Sequence, residues 1–146
     1  MSCTRTMKHT SLLLITTLFA GCATSPVKVF ESQQVSADRL LSGYSALSHA
    51  SPNKAKVIVI RDAGVLGAGA PARLSVDGAP VARLWPGKRV AFYLSGGDHI
   101  LAVSPDPQLT GALTENSFSF TPGRTYYFRI SISESSLRIQ PSTQLE

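Results

Sequence analysis

Hydrophobic and polar positions alternate with a period of two through most of the chain after Lys56. Val57-Ile58-Val59-Ile60 is a nearly continuous β-branched run, fit for a central strand. Leu74 and Val76 alternate with Arg73 and Ser75, ahead of Asp77-Gly78. That dipeptide suits a two-residue type I′ hairpin turn, in which both central residues need positive φ. Val81-Ala82-Arg83-Leu84 returns into a second turn, Trp85-Pro86-Gly87. Val90, Phe92 and Leu94 alternate next and end at Ser95-Gly96-Gly97-Asp98; His99 to Val103 follow. Phe118 and Phe120 precede Pro122-Gly123, after which Tyr126, Phe128, Ile130 and Ile132 alternate, and Leu137 and Ile139 close the series. The spacing predicts about seven or eight short strands separated by Gly and Pro turns. The expectation is an all-β domain over 56–140, a small antiparallel β-sandwich of immunoglobulin-like or transthyretin-like type, with a tail at 141–146.

Residues 22–55 follow a different pattern. Ala23-Thr24-Ser25-Pro26 is a small polar spacer, and Glu31-Ser32-Gln33-Gln34 has little to bury. Leu40, Leu41, Tyr44 and Leu47 fall on one side of a helix, with Ser36 available as N-cap and Asp38 in the first turn. The stretch reads as a tether that carries a short helix.

The first 21 residues are a third regime. A basic start with Arg5 and Lys8 precedes an apolar run from Leu12 to Phe19, and small residues lead to Cys22. This is the pattern of a secretory signal peptide, with either Met1 or Met7 as the start. The run is too short for a membrane span, which needs about 20 apolar residues. Leu18-Phe19-Ala20-Gly21-Cys22 resembles the lipobox of bacterial lipoproteins, with Phe19 where Leu is commonest. The resemblance implies that Cys22 is acylated and the signal removed before it. Several acyl chains hold a protein stably on a bilayer, where one chain holds only marginally. Ala23, rather than an Asp, follows the Cys, which resembles lipoproteins of the outer membrane facing the periplasm.

Composition narrows the chemistry. The net charge of +5 falls once the signal is removed, too little to argue for nucleic acid. Cys3 lies in the discarded segment, so the domain has no disulfide or thiolate site and depends on an apolar core. His49 and His99 are far apart in sequence and the carboxylates are scattered, so no metal or other cofactor is expected. Asp98-His99 beside plentiful serines raises a hydrolase triad, yet neighbours on a strand point to opposite faces and no Gly-x-Ser-x-Gly occurs. Gly64, Gly67 and Gly69 lack the Lys-Ser/Thr and helix start of a phosphate loop and read as a flexible link.

Arg73, Arg83, Arg89, Arg129 and Arg138 occupy outward positions in the alternation. On one shared sheet they would form a guanidinium stripe for carboxylate or phosphate groups, against the simpler reading of a solvated face that discourages aggregation. Trp85 reads either as an exposed binding anchor or as a cap on the end of the core. The β region resembles an uncharacterised family of bacterial lipoproteins, domain of unknown function 2846. The likeness rests on the strand ending in Arg61, on Leu74-Ser75-Val76-Asp77-Gly78, on Leu84 and Gly87, and on Gly96-Gly97-Asp98-His99. It brings no catalytic residues. The expectation is therefore a non-enzymatic, membrane-anchored envelope lipoprotein whose sandwich binds an envelope protein or anionic envelope component. A second reading is an accessory lipoprotein of a secretion machine, similar to the transthyretin-like lipoproteins of type VI systems; a cell-wall hydrolase is a third.

Overall fold

The structure, a computed structural model, describes residues 24–107, 113–133 and 136–143. Its strands are β1 (Gln33–Gln34), β2 (Lys54–Arg61), β3 (Ala72–Val76), β4 (Ala79–Leu84), β5 (Lys88–Ser95), β6 (Gly97–Pro105), β7 (Thr114–Phe120), β8 (Thr125–Ser133) and β9 (Ser136–Pro141). They form a five-stranded sheet, β1-β5-β2-β8-β9, and a four-stranded sheet, β4-β3-β6-β7, packed as a sandwich. The all-β expectation holds. Cys22 and the signal segment, and the last three residues of the expected tail, lie outside the described residues.

β2 is central because both of its faces are apolar. Val57 and Val59 enter the core between the sheets, with Leu74, Leu84, Phe92, Leu101, Phe128 and Ile130. Ile58 and Ile60 point the other way, into a second cluster with Val27 and Val29. β2 pairs antiparallel with β5 and parallel with β8. A parallel pair suits a strand covered on both faces, so the sheets are not antiparallel throughout.

The turns match their chemistry. Asp77 (φ 48°) and Gly78 (φ 79°) both sit at positive φ, and Val76 faces Ala79 across them, as a type I′ hairpin requires. The register of this pair shifts by one between Leu74 and Ser75 of β3, which leaves Val81 and Ala82 of the return strand both buried. On one flank, Thr114 and Asn116 of β7 donate to the carbonyls of Leu137 and Ile139 in β9, joining the two sheets.

Residues 24–53, within the stretch 22–55 read as a tether, pack against the sandwich. Ser25 bridges Ala63, and β1 adds to β5 in parallel. Val35 enters the main core. The backbone N–H groups of Leu41 and Gly43 donate to Val81 and Pro80, covering the edge of β4. The expected helix is broken into a 3-10 turn at Ala37–Arg39 and one α-helical turn, α1, at Tyr44–Leu47. Ser36 makes no capping hydrogen bond. Close approach to β4 explains the break: a Cβ on Gly43 would lie 2.8 Å from the Pro80 carbonyl oxygen. Tertiary packing, rather than helical propensity, sets this segment.

Candidate functional site

The two ends of the sandwich carry different chemistry. β2 and β8 run in parallel, so Arg61, Asp62 and Ile132 share one end. Lys54, Ser95 and the Pro122-Gly123 turn lie at the other. Eight-residue β2 sets a separation of about 25 Å.

At the first end a cavity of about 240 Å³ opens between the sheets. Leu66, Ala72, Pro105, Ile132 and Leu137 supply its apolar walls, and Arg61 is its charged group. Arg61 ends a strand that is buried on both faces, and it is itself only 2% exposed. One Nη donates to the carbonyls of Ala70 (2.7 Å) and Leu84 (2.8 Å), the other to Gly67 (2.6 Å). Two of these acceptors lie in the segment 62–71, which Arg61 thereby folds over the cavity. Gly67 is required there: its φ is 68°, and a Cβ would meet the Ile132 Cδ1 at 2.4 Å. Burial pushes the Arg61 guanidinium down to about 10, so it remains charged at neutral pH. Among the described residues no carboxylate forms an ion pair with it.

The arginines expected to form one stripe are divided between the two sheets and engaged within the protein. Arg73 and Arg83 face each other across β3 and β4, and Asp106 bridges them. Its Oδ1 accepts from Arg73 at 2.8 Å and its Oδ2 from Arg83. Burial alone would raise the Asp106 pKa, but hydrogen bonds from Arg83 and Arg73 outweigh it and hold the carboxyl below the usual range. On the other sheet, Arg129 forks onto Asp62, which is only 1% exposed and also accepts from Thr24 Oγ1. Arg89 donates to the Val29 carbonyl at 2.8 Å and to both oxygens of Ser32, pinning the N-terminal segment. Arg138 alone of the five is exposed. Trp85 is half-buried, with its Nε1 shielded from solvent and unpaired, which fits a cap on the core better than an exposed anchor.

The opposite end holds a second cluster. Asp77, from the β3–β4 turn, accepts from His99 Nδ1 at 2.6 Å, and Ser95 Oγ lies 3.2 Å from His99 Nε2. The acid that orients His99 is therefore Asp77, 22 residues earlier in the chain, while its neighbour Asp98 bonds Ser119. An ionised carboxylate only accepts, so Nδ1 carries the proton and Nε2 of the neutral ring can accept from Ser95. The order acid, imidazole, hydroxyl is that of a nucleophilic triad. Its setting is not: Nε2 is equally close, 3.2 Å, to the carbonyl oxygen of Ser95 itself. Asp77 is half exposed, and the cavity is at the far end of the domain. Among the described residues no three His, Cys, Asp or Glu side chains converge as a metal site would need.

Sequence reasoning missed Arg61 and the Asp77–His99 pair. The signal for Arg61 was present: a cation closing a run apolar at every position, and so a run with no wet face, has nowhere exposed to go. Asp77 gave no comparable signal, because its contact depends on the pairing of β3 with β6, strands that are not consecutive in sequence. No family model, curated protein or solved structure matches this chain.

Proposed function

We propose that the protein is a non-enzymatic envelope lipoprotein, acylated at Cys22, whose β-sandwich binds another envelope component from close to the membrane surface. The observation that carries this reading is the composition and position of the segment 63–71. It runs Ala-Gly-Val-Leu-Gly-Ala-Gly-Ala-Pro, without one charged or polar side chain. Val65 within it is 93% exposed. Apolar residues on a loop tip in water mark a contact surface.

The N-terminal segment meets the domain at the same end. Thr24 exchanges hydrogen bonds with the Ile132 backbone, and a Cβ on Gly64 would lie 3.3 Å from it. Only Ala23 separates Thr24 from Cys22. At no more than about 3.6 Å per residue, an acylated Cys22 would hold this end within roughly 8 Å of its anchor. The uncharged loop would then meet the lipid interface, and the Asp77–His99 end would point away from it. A lipoprotein with a long flexible tether would have no such fixed orientation. Placement in the outer membrane, and kinship with the domain of unknown function 2846 family, belong to the same proposal.

Crosslinking from single cysteines tests the orientation. A photoactivatable group at Val65→Cys should label phospholipid in whole cells, and one at Gly78→Cys should label protein. Lipid labelling from position 78 and none from 65 would reverse the orientation and remove the proposal's main support.

A further inference from the structure

We propose that the cavity beside Arg61 binds a medium-chain aliphatic carboxylate, with the acid at the guanidinium and the tail against Leu66, Ile132 and Leu137. Three observations converge. The first is size. A void of about 150 Å³ accepts one benzene, and drug-sized pockets begin near 300 Å³. A cavity of about 240 Å³ therefore suits a ligand of roughly eight to ten non-hydrogen atoms.

The second is charge. A buried cation is ordinarily paired, because removing it from water is costly. Arg61 is buried and charged, yet among the described residues only carbonyl oxygens accept from it. Carbonyl dipoles offset part of that cost; a carboxylate would offset far more, since hydrogen bonds between two charged groups are the stronger kind. The other arginines provide the contrast. Arg73, Arg83 and Arg129 are more exposed, and each is paired with an aspartate, the first two sharing Asp106 and the third holding Asp62.

The third is donor capacity. A guanidinium has five N–H donors. Arg61 gives three of them to carbonyls, which leaves two without an acceptor among the described residues. The remaining walls are almost entirely apolar, with Ser136 the other polar side chain. One cationic donor in an apolar cleft selects an amphiphile with an anionic head rather than a sugar, a nucleotide or a neutral alkane.

The inference rests on the cavity and not on the anchor, so it stands whether or not Cys22 is acylated. The test is titration calorimetry on the full chain in nonionic detergent, with micelles alone as the blank. Hexanoate, hexanol and hexylammonium are the probes, having one tail and three different heads. Hexanoate should saturate a single site per chain at least about tenfold more tightly than hexanol, and hexylammonium should show no saturable heat. Arg61→Met should abolish the preference, but it also removes the bonds that hold the 62–71 segment. Leu66→Trp is therefore the second variant: it adds bulk to the cavity wall and removes none of the main-chain carbonyls that accept from Arg61. It should weaken hexanoate by about tenfold or more with an unchanged melting midpoint. Hexanol binding as tightly as hexanoate would overturn the role of Arg61, and no saturable heat from hexanoate would overturn the proposal.

Discussion

Arg73 and Arg83 stand directly opposite each other on neighbouring strands, and Asp106 gives one carboxylate oxygen to each. Like charges in that position destabilise a sheet, so the bridging acid turns a repulsive pair into an attractive triad. Asp106→Asn removes the charge and leaves the shape. It should lower stability by about 1–3 kcal/mol, the cost of breaking a shielded charged hydrogen bond. Chemical denaturation checks this. A midpoint equal to wild type would mean that the triad is too solvated to matter.

Reversing the arginines should do more. Arg83→Glu and Arg129→Glu place new carboxylates beside Asp106 and Asp62, both buried. The double variant should lose about 3–5 kcal/mol, since Arg129→Glu leaves the buried Asp62 without its cation and Arg83→Glu leaves Asp106 with Arg73 alone. Full retention of the wild-type melting curve would contradict the ion pairs.

Stability should fall in acid for two identifiable reasons. Asp77 and Asp106 both have pKa values below the usual carboxylate range. For Asp77, burial pulls upward, but hydrogen bonds from His99 and the Ile100 N–H prevail. A group whose pKa is lower folded than unfolded binds more protons when unfolded. Its contribution is complete above its unfolded pKa of about 4 and is lost as pH falls through the folded value. Denaturation midpoints for the wild type should therefore drop steeply below about pH 4. Asp106→Asn should flatten that slope, and an unchanged slope would assign it to other carboxylates.

Gly78 isolates a backbone effect. A Cβ there would touch nothing within 4 Å, so Gly78→Val changes only the cost of positive φ. About 1–3 kcal/mol should be lost without complete unfolding. A melting curve identical to wild type would mean that the hairpin has another form.

Ser95, His99 and Asp77 provide a test of the non-enzymatic reading. A fluorophosphonate probe reacts with a serine activated by its imidazole. No labelling at Ser95 is expected, because its His99 Nε2 is shared with a carbonyl and the cavity beside Arg61 lies at the other end of the domain. Labelling that Ser95→Ala and His99→Ala both abolish would show an active nucleophile.

Much of the β-sheet was legible because alternation is local. Each of Leu74, Val76, Val90, Phe92, Phe128 and Ile130 is buried, as its own neighbours imply. The role of residues 24–53 was not legible. Val27, Val29 and Val35 lie in a stretch with no sustained alternation, and what they cover, Ile58, Ile60 and the core, is distant in sequence. The arginines were legible as outward-facing but not as paired, because Asp62 and Asp106 sit in loops whose path alternation does not describe. Arg61 was half legible: its burial followed from its run, its carbonyl partners did not.

Acylation of Cys22 carries the account of orientation and function, and metabolic labelling with palmitate measures it directly. In its native host the wild-type chain should incorporate label and run at the size expected for a start at Cys22. Cys22→Ser should incorporate none and accumulate as the longer precursor. Processing of the Ser variant to the same mature size, or a wild-type chain without label, would contradict the lipoprotein reading.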